Sequence, residues 1–287
     1  MKKILVPTDF SKLSNHAVDF AVHLAKKINA VVAIVHLENM PLGDTTLNLT
    51  GAAHQTGATE DELFSAQLFR ANKNKLAELS TKYSKDGLTV TGEQLGGGFL
   101  KGIEHYVENH GADLIVMGTT GEASVQEFFS GNHTEQLIEH LDVPVLSVQH
   151  EVDKRIKDIV LGLDLLDEKY SKKLFNVIKT VCEGLDAHVH IINVVKSDEP
   201  HSLMSNLNKV ARAVGLKNYV VDVIHAKNEN EALMDFANEI HAGMVITLSE
   251  ARSGLYRFFQ HSFATKMIKD SSIPVLTINK RLTEINY

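Results

Sequence analysis

Three glycines hold the clearest chemical potential in the chain. Gly118, Gly121 and Gly131 are spaced Gly-x2-Gly-x9-Gly and are followed by Asn132, His133 and Thr134. The run DLIVMG at 113–118 leads into them, and HTEQLIEHL after them has helical spacing. A glycine directly after a strand lets backbone N–H groups approach a ligand without a Cβ in the way. Gly131 falls where the next helix begins, and free N–H groups aligned with a helix dipole favour an anion there. Asn132 and Thr134 add side-chain donors. Two glycine turns and a helix start would together cradle a phosphate. Pro7-Thr8-Asp9-Phe10-Ser11 and His36-Leu37-Glu38 also fall after apolar runs. In an open parallel sheet ligands bind beyond the carboxyl ends of the strands, so all three stretches converge on one site.

The elements that must position these residues occur twice. KKILVPTD at 2–9 matches KDIVLGLD at 157–164, and AVVAIVHL at 30–37 matches AHVHIINV at 187–194. DLIVMG followed by DVPVLSV at 142–148 matches GMVITL at 243–248 followed by SIPVLTI, now at an offset of 130. Two copies of one domain are expected, 1–149 and 156–280, with the seam in the polar stretch near 149–156. In the first copy strands are expected near 3–7, 30–37, 88–91, 113–117 and 144–148. Ala17, Ala21, Leu24, Ala25 and Ile28 share a helical face between the first two. Thr59 and Glu62 have capping-box spacing and open a helix running to about Lys85. Further helices fit 100–110 and 132–141. The second copy repeats the pattern, with strands near 158–163, 187–195, 219–225, 243–248 and 273–278.

Strands alternating with helices imply right-handed crossovers and a parallel sheet covered on both faces. The fold class is therefore α/β, two tandem open-sheet domains of five parallel strands each. The last strand of each copy follows a proline and suits an edge. Pairing those edges would hide both and make one chain an intramolecular pseudo-dimer.

The PTDFS start, the Gly118-x2-Gly121-x9-Gly131 loop and the closing DVPVLSV resemble the universal stress protein family in tandem form. The resemblance implies a five-stranded α/β unit of the adenine-nucleotide α-hydrolase-like kind and, for the first copy, ATP (or ADP or AMP) as ligand. It implies that Asp9 contacts the adenosine part, with Pro7 and Thr8 lining it, and that the main chain around Leu37 meets adenine. Met117, Gly118, Gly121, Gly131, Asn132, His133 and Thr134 would surround ribose and phosphates. Asn132 stands where the family has Ser or Thr, so the hydroxyl that would ligate Mg²⁺ is missing and metal-assisted binding is less expected than nucleotide binding itself. In the second copy Leu248, Ala251 and His261 replace the three glycines, although Asp164 matches Asp9, and no ATP is expected there. The resemblance further implies a role in stress response, with nucleotide occupancy switching contacts to a protein partner. No catalysis beyond slow ATP hydrolysis is expected. A nucleotide-free pseudo-dimeric scaffold is the alternative, and an adenylate-using enzyme a more distant one.

Other chemistries find little footing. The 287 residues carry a net charge of −7; 1–150 have 11 Lys/Arg against 18 Asp/Glu, and 151–287 balance. Neither half has the basic excess of a nucleic-acid binder. The single cysteine, Cys182, cannot form an internal disulfide, and no apolar run approaches a membrane span, so a cytoplasmic protein is expected. Gly96-Gly97-Gly98 lacks the GK[ST] ending of a phosphate loop and reads as a turn. His188 and His190 would share a strand face near His225, without a carboxylate at convincing ligand spacing. His105, His110, His140 and His241 lie near helix C-termini. No GxSxG is present, and Cys182 reads as core. The polar stretch 41–58 reads as a loop that could close over a ligand or dock a partner. Pairing of whole chains into a homodimer is left open.

Overall fold

The computed structural model describes residues 1–38, 60–84, 87–119, 131–163, 172–195, 202–249 and 273–279. The first copy runs β1 (Lys3–Pro7), α1 (Lys12–Ile28), β2 (Val31–Leu37), α2 (Glu60–Tyr83), β3 (Val90–Leu95), α3 (Phe99–His110), β4 (Leu114–Gly118), α4 (Gly131–His140) and β5 (Val145–Val148). The second runs β6 (Asp158–Gly162), α5 (Lys172–Leu185), β7 (His188–Val195), α6 (Ser202–Val214), β8 (Tyr219–His225), α7 (Glu229–Glu239), β9 (Met244–Ser249) and β10 (Val275–Asn279). Helix α1 starts at Ser11, whose hydroxyl accepts from the Ser14 N–H, and stops at Asn29, a left-handed residue at φ 55°. Strands β1, β2 and β4 are buried at nearly every position, as expected of strands covered on both faces.

All ten strands form one sheet in the order β3-β2-β1-β4-β5-β10-β9-β6-β7-β8. Every pairing is parallel except the central one. There β5 and β10 run antiparallel, with Val275 opposite Ser147, Leu276 opposite Leu146 and Thr277 opposite Val145. The repeat offset of 130 carries Leu146 onto Leu276, so the join is two-fold symmetric about this leucine pair. The edges expected to meet do meet. Because the join is antiparallel, the C-terminal ends of β1–β5 share a rim with the N-terminal ends of β6–β10.

Hydrophobic residues of both copies fill one continuous core on one side of the sheet, from Ile4, Val116 and Leu146 to Leu276, Ile159 and Leu161. Helices α1 and α5 meet across the seam so closely that a Cβ on Gly184 would lie 2.3 Å from Ile28 Cγ2. Cys182 is buried in this core, and burial pushes its thiol up to about 12.

The sequence expectation departs from the structure most at β3. It is Val90–Leu95 rather than 88–91, and its residues 91–93 are exposed. VTGEQL has no apolar alternation to read; pairing with the β2 backbone makes it a strand. Gly97 and Gly98 have φ of 94° and 77°, the turn expected before α3. Thr59, the loop 41–58, Asp164, Ala251 and His261 lie outside the described residues.

His23 sits on α1 beside the linker at Lys154. Its Nε2 is buried without a partner among the described residues. Burial first, then the charges of Lys27, Lys154 and Lys26, hold its pKa below the ordinary 6.5. The folded state favours the neutral ring. Its contribution to stability is complete above about pH 6.5 and is lost as the pH falls from there through the depressed folded-state value. The wild-type melting temperature should therefore fall more steeply than that of His23→Gln between about pH 7.5 and about pH 5.5; parallel curves would remove His23 from the seam's pH dependence.

Candidate functional site

Strands β1, β2 and β4 are adjacent, so their C-terminal ends bring Asp9, Leu37 and Gly118 to one rim. After β1 the chain turns sharply. Phe10 takes φ 65°, a conformation unusual for a residue with a Cβ. The Phe10 N–H donates to Thr8 Oγ1 at 3.0 Å, and the Ser11 N–H donates to Asp9 Oδ1 at 2.9 Å. Asp9 is partly exposed and thus held by one carboxylate oxygen at the mouth of the rim. Pro7 is buried.

Thr8 does not line a ligand surface with polar groups. Its N–H donates to the Val35 carbonyl, its carbonyl receives His36 Nδ1 at 2.7 Å, and its hydroxyl bonds Ser14 Oγ at 3.0 Å. At 1% exposure it positions Asp9 from behind.

Leu37 behaves otherwise. Val32 and Glu38 bond through their N–H groups to β3, whereas Val31 bonds to β1. Alternation turns the Leu37 N–H and carbonyl toward the β1 side, past the last paired residues Pro7 and Val35. The Leu37 side chain is buried, and a Cβ on Gly102 would lie 2.8 Å from its Cδ2.

Sequence reasoning missed a polar network behind this strand end. A carbonyl accepts from His36 Nδ1, so Nδ1 carries the proton and Nε2 accepts from Asn72 Nδ2 at 3.1 Å. Asn72 also donates to Glu38 Oε1 at 2.9 Å, and Gln94 Nε2 donates to the same oxygen at 3.2 Å. The Phe10 ring lies on His36 with centroids 4.6 Å apart, and Lys75 Nζ stands 5.1 Å from the Phe10 centroid. His36 and Glu38 were visible at a strand end; their partners on α2 and β3 carry no motif.

At β4 the two faces separate. Gly118 points to the α1 face, where a Cβ would lie 2.7 Å from the Leu13 carbonyl oxygen and 2.8 Å from its carbon. Its missing side chain is required by helix packing. Met117 and Thr119 point to the opposite face, toward α4. Met117 is fully buried and receives the Thr134 hydroxyl on its sulfur at 3.3 Å. Met117 and Thr134 therefore join α4 to β4 with their side chains.

Gly131 and Asn132 are the first two residues of α4, and His133 stacks on Phe99 with centroids 4.2 Å apart. Gly121 lies outside the described residues. Thr119, which the glycine spacing does not mark, is fully buried, and its hydroxyl has no hydrogen-bond partner among the described residues. An unpaired buried hydroxyl costs about 1–3 kcal/mol.

The second copy shows a different pattern. His188 and His190 rings touch at 4.8 Å, and His190 Nε2 lies 2.9 Å from Asp158 Oδ1, a carboxylate that sequence spacing did not place there. Among the described residues no group of three His, Cys, Asp or Glu could hold a metal ion. No helix of the described residues is long and apolar enough to cross a membrane.

Two five-stranded parallel units joined edge to edge define a tandem open-sheet α/β class. The model of the universal stress protein family matches residues 1–149. The chain belongs to this family. It is 28% identical over 148 residues to a universal stress protein of Methanocaldococcus jannaschii, covering 52% of this chain and 82% of that one. A universal stress protein of Synechocystis is 21% identical over 291 residues, covering 96% and 99%. The crystal structure of a universal stress protein from Archaeoglobus fulgidus superposes with a TM-score of 0.70 at 18% identity, covering 96% of both chains. That likeness extends the shared fold to both copies.

Because the obstruction at Gly118 is backbone, Gly118→Ala should destabilise the protein by about 1–3 kcal/mol. Thermal unfolding checks this, and an unchanged melting temperature would return Gly118 to a purely ligand-related role.

Proposed function

We propose that the first copy, residues 1–149, binds ATP or a related adenine nucleotide, ADP or AMP, and that the second, residues 156–280, binds none and serves as its fixed partner. The observation that carries this reading is the buried, unpartnered Thr119 hydroxyl on the α4 face of β4. It supplies a donor beside the start of α4, where helix N–H groups favour phosphate. Asp9 and the outward main chain of Leu37 stand at the ends of the adjacent strands and suit the nucleoside end. Gly131 leaves the helix start open, and Asn132 brings an amide where a metal would prefer a hydroxyl or carboxylate oxygen, so phosphate binding here does not depend on Mg²⁺.

In this reading the protein is a cytoplasmic regulatory module of the stress response. Nucleotide occupancy biases its contacts to a protein partner, without turnover beyond slow hydrolysis. A ligand shifts such an equilibrium only by its differential affinity for the two states. The alternative, a nucleotide-free scaffold, is favoured by one observation, that Gly118 owes its missing side chain to Leu13.

Mass spectrometry and absorbance of material released from the denatured protein, followed by ATP titration calorimetry, separate the readings. One adenine nucleotide per chain is expected; two would give the second copy a site, and none, with no heat of binding, would leave the scaffold. Thr119→Val should weaken ATP by about tenfold or more, the size of one hydrogen bond to a charged acceptor. Gly131→Val should abolish binding while the melting temperature stays near wild type; unchanged affinity in both variants would overturn the site assignment. Asp9→Ala should weaken adenosine and ATP alike, and a defect confined to ATP would move Asp9 toward the phosphates.

A further inference from the structure

The central join uses one edge of each copy, so the ten-stranded sheet ends at β3 and β8. An unpaired strand edge is a template for another chain. The two ends are treated differently. At β3 the Thr89 and Leu95 carbonyls accept from Val32 and Glu38, so odd-numbered residues face β2 and Val90, Gly92 and Gln94 face outward. Ser84, just after helix α2, takes one of those outward groups, and α2 packs on a face of the strand. Ser84 Oγ donates to the Val90 carbonyl at 3.2 Å, Gln94 Nε2 donates to the Phe69 carbonyl at 3.1 Å, and a Cβ on Gly92 would lie 2.6 Å from Ser80 Oγ.

Strand β8 is more open. The Asn218 carbonyl accepts from Val189 and the Ala226 N–H donates to Val195, so even-numbered residues face β7. The backbone groups of Tyr219, Val221, Val223 and His225 therefore face outward. Val220 is 44% exposed, and Asp222 and His225 are exposed as well. The strand reads YVVDVIH, rich in β-branched residues, with no Pro or Lys to blunt its edge. Yet one outward donor is already taken. The Val223 N–H donates to Asp222 Oδ1 at 2.8 Å, which brings a carboxylate onto the edge in the middle of the strand.

We propose that Asp222 keeps the chain from adding a second copy of itself along β8. The occupant excluded is the β8 of another chain, arriving antiparallel across a two-fold axis as β10 meets β5. Such a pairing would need the Val223 N–H to leave its carboxylate. Centred near the middle of the strand, it would also bring two carboxylates together in a partly desolvated ladder, where like charges opposite one another are destabilising. Removing the acceptor and the charge together removes both obstacles. The tandem chain thus closes its assembly by occupying an outward carbonyl of β3 with Ser84 and guarding β8 with a single side chain.

The test compares the mass of wild type, Asp222→Val and Asp222→Lys by sedimentation equilibrium over a wide concentration range. Asp222→Val should move to twice the wild-type mass as concentration rises, and its 219, 221, 223 and 225 amides should gain protection from hydrogen exchange. Asp222→Lys, which keeps a like charge on the edge, should hold the wild-type mass. An Asp222→Val protein that stays at the wild-type mass at every concentration overturns the proposal, as does doubling of both variants. Should Asp222→Val fail to fold, hydrogen exchange on the wild type decides. The Val223 amide should exchange more slowly than those of Tyr219, Val221 and His225, and equal rates would show that no guard bond exists in solution.

Discussion

The short antiparallel ladder between β5 and β10 is the constraint on which the molecule depends. Leu146 and Leu276 are both fully buried at its centre. Each parallel unit would otherwise expose its last strand, an apolar run with free backbone groups on one side. Joining the two removes both edges and lets the core on one face run without a break from β1 to β9. Ile28 against Gly184 then locks the helices across the seam, so neither copy can turn without disturbing the other's interior. Ser147 and Thr277, equivalent residues of the repeat, keep buried hydroxyls on the other face without partners among the described residues. Polar atoms are carried into this join and still outweighed by the burial around them.

The same packing logic reaches the candidate site. Close approach of α1 to β4 fixes Gly118, the bond from Thr134 to Met117 fixes α4, and the turn at Phe10 fixes Asp9. Gly118, Met117 and Thr134 are thereby tied into the scaffold, and in the proposed reading the ligand meets one Asp9 oxygen, the Leu37 main chain, the α4 start and the Thr119 hydroxyl. Behind them His36, Asn72, Glu38 and Gln94 hold β2, β3 and α2 together by hydrogen bonds, those to the Glu38 carboxylate being charge-assisted and the stronger.

Much of the fold was legible in the sequence because its signals are local. Runs such as VVAIV and LIVM announce strands buried on both faces, and an offset of 130 announces the paired edges. Strand β3 was placed poorly because VTGEQL owes its conformation to the β2 backbone and not to its own side chains. The glycine spacing does not reveal the packing reason for Gly118, since Leu13 lies more than a hundred residues away in sequence. Thr119 escaped notice because orphaned burial is a property of its surroundings. Asn72 and Gln94 escaped for the same reason, and so did the Asp158 carboxylate beside His190.

The antiparallel join also gives the chain a direction that two stacked copies would lack. The rim holding Asp9, Leu37 and Gly118 continues along the linker onto the starts of β10, β9 and β6, while the matching loop side of the second copy opens on the opposite rim. Around Glu151, Lys157, His241 and Pro274 that shared rim is hollowed into a cavity of about 600 Å³. A macromolecule docked on the first copy's rim would touch the linker and the underside of the second copy in the same footprint. The molecule is two-faced in the literal sense. The C-terminal rim of the first copy and the back of the second form one surface, and the second copy's own C-terminal rim is turned away from it.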